Sequence, residues 1–166
     1  YEVLDEGPLR FTVRLDQSPR MVGGNAVREH RIITLDKGSN FNRMEVWYDR
    51  LNEPVTFCSG IVLQPEDRQS FTLGPDFVAY TDPTDQPDVH QAPLYVGVLF
   101  PNGKVETRQL RDHVLGILPD YQGQHYTYYF GSAWSKYDVR TDVERAARIQ
   151  WCLRQFRQPL RVTVGG

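Results

Sequence analysis

Along most of this chain, apolar and polar residues alternate with a period of two. In residues 10–15, Phe11, Val13 and Leu15 face one way while Arg10, Thr12 and Arg14 face the other, the pattern of a half-buried strand. The first strand begins almost at residue 1. Similar patterns predict strands near 28–36, 42–49, 55–63, 76–81, 94–100, 104–109, 113–118, 124–130 and 160–164. Turn-forming residues separate them at Gly23-Gly24-Asn25, at residues 36–40, at 51–54 and at Pro101-Asn102-Gly103. An Asn-Gly pair between two strand patterns is the strongest short-range sign of a hairpin.

One segment has helical periodicity instead. Thr141 followed by Glu144 forms a capping box. Beyond it Ala146, Ile149, Leu153 and Phe156 share a face, Arg145, Arg148 and Arg154 fall largely outside it, and Pro159 ends the helix. Antiparallel strands with a single late helix predict an all-β fold, an antiparallel β-sandwich carrying one C-terminal α-helix. Residues 81–93, with three prolines and three aspartates, read as a loop, and there are no internal repeats.

Composition narrows the function classes. A formal charge of −2 and a pI near 6.1 do not suit a dedicated nucleic-acid binder. No apolar run approaches the length needed to cross a bilayer. The chain starts at Tyr1 with no signal peptide in view, as a mature product or an excised piece would. Its 166 residues suit one β-sandwich domain, or part of a larger one. Arginine outnumbers lysine 16 to 3, which follows either from a GC-rich genome or from a need for planar forks that grip carboxylates. Cys58 and Cys152 permit one disulfide, although Cys152 on the apolar side of the helix reads as a buried thiol.

Several chemistries find no support. Asp82, Asp85 and Asp88 lack the alternation, central glycine and closing glutamate of a calcium loop and read as a solvated turn. His30, His90, His113 and His125 lack zinc-motif spacing, so neither a metal nor a cofactor is expected. Ser59 is not in a nucleophile elbow, and there is no phosphate loop or dinucleotide fingerprint.

Polar strand faces are better candidates. Arg43, Glu45, Trp47 and Asp49 alternate with Met44, Val46 and Tyr48. Arg43 and Glu45 can anchor a sugar carboxylate and hydroxyls with Trp47 as a stacking plate, or can form an ion pair on a wet sheet face. In residues 124–136, His125, Thr127 and Tyr129 share a face. Gly131 then lets the chain turn, bringing Trp134 and Lys136 to the rim of the sheet. His125 is a candidate proton carrier, as histidines commonly are, or a plain surface residue. His113 opens an apolar strand, either as a second proton carrier or as a hydrogen-bonded residue at a strand end.

Four stretches carry a family resemblance: Val3-Leu4-Asp5-Glu6-Gly7-Pro8-Leu9-Arg10, Asp36-Lys37-Gly38-Ser39-Asn40-Phe41-Asn42-Arg43, His113-Val114-Leu115, and Tyr128-Tyr129-Phe130-Gly131-Ser132-Ala133-Trp134-Ser135-Lys136. They resemble an uncharacterised family of secreted bacterial proteins of the Bacteroidetes type, whose genes often lie beside those for unsaturated-uronide hydrolases and other pectin-degrading enzymes. Its members are about twice as long, and this chain is similar to their C-terminal half. The resemblance implies part of a supersandwich like that of sugar mutarotases, and a role in plant or algal glycan breakdown in the periplasm or outside the cell.

The expected function is therefore a carbohydrate-active domain for uronic-acid-containing oligosaccharides. Arg43 would hold the carboxylate, Trp47 or Trp134 would stack on a ring, and Tyr129 and Lys136 would complete the binding set. His125, Glu45 and His113 would handle protons in a hydrolase, lyase or epimerase. The alternatives are a non-catalytic glycan-binding module and a structural sandwich whose polar faces abut the N-terminal half. The expected partner is a carbohydrate, with neither nucleic acid nor membrane insertion.

Overall fold

A computed structural model describes residues 1–84, 87–90 and 92–158. Twelve strands form two antiparallel sheets. They are β1 (Glu2–Glu6), β2 (Arg10–Asp16), β3 (Arg20–Val22), β4 (Asn25–Asp36), β5 (Phe41–Asp49), β6 (Val55–Val62), β7 (Phe71–Leu73), β8 (Phe77–Asp82), β9 (Leu94–Leu99), β10 (Glu106–Leu110), β11 (His113–Tyr121) and β12 (Tyr126–Trp134). A single helical turn, α1 (Pro87–His90), interrupts the expected loop, and α2 (Asp142–Arg157) closes the described chain. The nine-stranded sheet runs β1-β2-β4-β5-β12-β9-β8-β7, with β3 also paired to β4, and the three-stranded sheet runs β10-β11-β6. The β-sandwich with one C-terminal helix is thus the fold.

The opening segment makes two strands joined at Gly7-Pro8, and the short β3 and β7 escaped the periodicity because three residues cannot display one. The strand expected at 160–164 lies outside the described residues, as do Asp85 and the side chain of His90. Asn102-Gly103 does form a turn, with Gly103 at φ 61° and its N–H donated to Phe100 O at 3.0 Å. That turn does not close a hairpin, because β9 belongs to the large sheet and β10 to the small one. Nor does Gly131 turn the chain. It sits within β12 between Phe41 and Gly97, where an added Cβ would stand 1.9 Å from Asn40 O.

Alternation assigns each residue of the large sheet to one of two faces. Met44, Val46, Val78, Tyr80, Val98, Tyr126 and Tyr128 point at the small sheet and meet Ile61, Leu63, Val114, Leu118 and Tyr121 in the main core. On the opposite face α2 covers Phe41, Ala79 and Leu99 with Ile149, Cys152 and Leu153. Cys152 is a buried free thiol, as expected, and Cys58 is an exposed one.

The helix begins as the capping box requires, with Thr141 Oγ1 accepting from the Glu144 N–H. Its packed face carries Ile149, Leu153 and Phe156 as expected and differs at the edge. Ala146 is exposed, while Arg145 and Arg148 turn inward, Arg145 over the Tyr95 ring at 5.5 Å and Arg148 donating to Asn40 Oδ1 at 3.3 Å. Long guanidinium stems cover apolar surface while their heads find polar partners, which a two-letter hydrophobic pattern does not register. Because α2 lies against β5, β12, β9 and β8, the same face of the large sheet stays open over β2, β4 and the far part of β5. No described helix is long and apolar enough to cross a membrane.

Candidate functional site

Register determines what stands on that open face. Across β2-β4-β5-β12, Asp16 lies opposite His30, His30 opposite Trp47, Glu45 opposite Thr127, and Arg43 opposite Tyr129. Directly opposed residues of an antiparallel sheet share a face. Side chains from four strands therefore meet where α2 leaves off.

The centre is a row of three parallel rings. His30 stacks on Trp47 with centroids 5.0 Å apart and planes 13° apart, and Trp47 stacks on His125 at 4.3 Å and 9°. Since β4 and the start of β12 flank β5, the two imidazoles occupy opposite faces of the indole. Trp47 thus meets solvent along its edge and does not present the open stacking plate expected of it. The Arg14 guanidinium approaches the same ring at 5.9 Å.

His30 was not among the expected site residues, yet it is the most strongly held. It donates from Nδ1 to Asp16 Oδ1 at 2.5 Å and from Nε2 to Asp49 Oδ2 at 2.8 Å, with its side chain only 7% exposed. A carboxylate at each ring nitrogen is the arrangement that favours the protonated form of the ring. Burial alone would lower its pKa. The hydrogen bonds to Asp16 and Asp49 outweigh burial, and the net shift is upward. Asp16 is lowered in turn by its hydrogen bond to His30.

At the other end of the row, His125 Nδ1 donates to Glu45 Oε1 at 2.9 Å, and Arg43 Nη2 donates to Glu45 Oε2 at 2.5 Å. Burial raises the Glu45 pKa, but the hydrogen bonds from His125 and Arg43 prevail and hold it below its ordinary value. The Glu45 carboxylate holds the imidazole through Nδ1, which leaves Nε2 as the ring nitrogen not engaged by Glu45. A carboxylate that orients a histidine in this way makes the second nitrogen a usable general base. The ring is 59% exposed and the Arg43 side chain 40%, so both can meet a ligand. Tyr129 stacks on Phe156 of α2 at 3.7 Å and marks the boundary between the helix-covered and open parts of the face.

Arg43, Glu45, Trp47, His125 and Tyr129 are thus brought together, and three other expected residues are not. His113 begins β11 in the small sheet, on the far side of the main core, with Nδ1 2.8 Å from Asp112. Trp134 ends β12, about 30 Å along the strand from His125, and its parity turns it toward the other face of the sheet. Lys136 follows in the turn beyond. The strand extends through Gly131 rather than turning there, which carries both residues away from the cluster. Asp16, His30 and Asp49 complete the arrangement. Their one sequence signal is that they continue the polar parities of 10–16, 28–36 and 43–49, which say nothing about which strands adjoin. Among the described residues, no group of three or more His, Cys, Asp or Glu could hold a metal ion.

A family model described as a domain of unknown function (DUF4861) matches residues 1–162, and no curated protein or solved structure matches the chain. The chain belongs to the DUF4861 family.

Proposed function

We propose that this member of the DUF4861 family binds uronic-acid-containing plant or algal oligosaccharides on the open face of its large sheet. The observation that carries the reading is the convergence of Arg43, Glu45, His125 and Tyr129 around the His30–Trp47–His125 row. A guanidinium presents five N–H donors in a plane, and Glu45 engages one edge of Arg43, leaving donors to meet a sugar carboxylate. The Tyr129 hydroxyl and Thr127 supply neutral hydrogen-bonding groups beside it. His125, oriented by Glu45, is the group placed to move a proton. The same substrate class, and with it a periplasmic or extracellular setting, is what the family resemblance of the four sequence stretches implies.

Calorimetry of the full-length protein against pectic and ulvan-type oligosaccharides tests this directly. Binding that Arg43→Ala weakens by roughly tenfold or more is the expected result, as for loss of a charge-assisted contact. Absence of binding across the panel sinks the proposal. An Arg43→Ala protein that is less stable but binds as before would make the face a structural one.

The exposure of His125 and Arg43 favours a second reading, binding without catalysis, because a catalytic site normally excludes water. His125→Ala separates the two. Unchanged binding with lost product formation identifies an enzyme, and unchanged binding with no product from either protein identifies a binding module.

A further inference from the structure

The ring row on the open face is pinned from one end. His30 comes from β4, Trp47 from β5 and His125 from the residue before β12, so the centroid separations of 5.0 and 4.3 Å repeat the roughly 4.8 Å spacing of strands in a sheet. The planes lie 13° and 9° apart, with an imidazole against each face of the Trp47 indole. A planar ring packed on both faces turns only if a neighbour yields.

The two imidazoles are held differently. His125 has one anchor besides the indole, its Nδ1 on Glu45, and is largely exposed. His30 is buried and bridges two strands, reaching Asp16 of β2 through Nδ1 and Asp49 of β5 through Nε2. Asp16 is tied down in turn by Arg14 Nε at 3.1 Å, and the Arg14 guanidinium lies over Trp47. Asp49 stands opposite Arg28 and is the freer carboxylate, 56% exposed against 40% for Asp16. Arg14, Asp16, Arg28 and Asp49 are thus the charged neighbours of His30 on β2, β4 and β5, and Glu45 and His125 lie beyond the indole.

A bridge of this kind needs two donors. The protonated imidazole has an N–H at each nitrogen, whereas the neutral ring has one N–H and one lone pair. Deprotonation therefore sets a lone pair against a carboxylate oxygen on one side, and that contact opens. Asp49 gives way first, being the more exposed of the two and the last residue of β5. It shares a strand and a face with Trp47 two residues away, so the loss falls on the support of the indole.

We infer that His30 is the positioning residue of this face: anchored by Asp16 and Asp49, it fixes the Trp47 indole, which in turn fixes the His125 imidazole beside Glu45 and Arg43. The inference rests on the reading of this face as the ligand site and adds its regulation. The row is set while His30 donates to both aspartates and loosens when rising pH opens the bridge. His30 acts through Trp47 and not on the ligand.

Heteronuclear NMR of the histidine and tryptophan ring nitrogens tests this on the whole protein without a ligand, through the pH range where histidines titrate. In the parent, the Trp47 and His125 signals should each step at the His30 midpoint, apart from the step of His125 itself. Asp49→Asn is the deciding variant, since a side-chain amide can offer oxygen to an N–H or N–H to a lone pair. There His30 should still titrate while the steps it imposes on Trp47 and His125 shrink severalfold. His30→Ala should remove those steps, and if it fails to fold, Asp49→Asn decides alone. Affinity for a pectic oligosaccharide should fall about tenfold across the His30 midpoint in the parent and stay level there in Asp49→Asn. The inference is overturned if His30 keeps one protonation state throughout, if Trp47 and His125 ignore its midpoint, or if Asp49→Asn leaves the steps at full size. A protein that passes the NMR test yet binds no oligosaccharide refutes the proposed function and upholds the role of His30.

Discussion

At the scale of single residues, the arginine surplus resolves into contacts within the chain. Arg10, Arg14, Arg31, Arg43, Arg145 and Arg157 each meet a carboxylate of the same molecule. Arg43 is thus one end of an Arg43–Glu45–His125 chain joined through the Glu45 carboxylate. His30 makes a pH-dependent contribution of its own. Because its pKa is raised in the fold, the stability it confers is complete below its ordinary value of 6.5 and is lost as pH climbs through the folded pKa. Asp16 is lowered, so its contribution is present above its ordinary value of 3.8 and is lost as pH falls through the folded pKa. Thermal melts should therefore show stability declining as pH rises above 6.5, and His30→Asn should flatten that limb. A variant with the same alkaline slope as the parent would refute the assignment. The buried Glu29 offers a second check. Glu29→Ala leaves the Tyr48 hydroxyl and Arg31 without their partner and should cost about 1–3 kcal/mol in denaturant unfolding.

Secondary-structure elements show where a linear pattern suffices and where it does not. Strands β4, β5, β6, β8, β9, β11 and β12 were predicted close to their observed positions because each either shows alternation or, as in β9 and β11, a short apolar run. Element ends depended on neighbours instead. β12 runs on through Gly131 because α2, Phe41 and Gly97 pack against it, and only glycine tolerates Asn40 O so close. Gly131→Ala should accordingly destabilise by about 1–3 kcal/mol despite the higher intrinsic propensity of alanine, as overpacking does. On the helix, Leu153 is fully buried and Ala146 is exposed. Leu153→Ala should cost about 2–5 kcal/mol and Ala146→Ser under about 1 kcal/mol, measured by chemical denaturation. Equal costs would mean that the helix packs by the face read from its pattern.

For the molecule as a whole, one large sheet presents two chemically different faces. The charged row stands on the face that α2 partly covers, and the three-stranded sheet packs against the other. Changes on opposite faces that share no partners should act independently. Arg43→Ala on the open face and Leu118→Ala in the main core are therefore expected to destabilise additively in denaturant unfolding. Coupling between them beyond about 0.5 kcal/mol would show that the sheet transmits between its faces.

Period-two alternation by itself determined that this chain is a β-sandwich. It also determined which residues of each strand share a face, because side-chain direction in a strand is a local property of the backbone. The set Arg43, Glu45 and Trp47 was legible for that reason, as was the set His125, Thr127 and Tyr129. Only the tertiary structure decided that β4 lies beside β5 and β5 beside β12, which brings His30, Trp47 and His125 into one row and sends His113 to another sheet. Strand order depends on the packing of distant segments, and alternation within one strand carries no record of its neighbours.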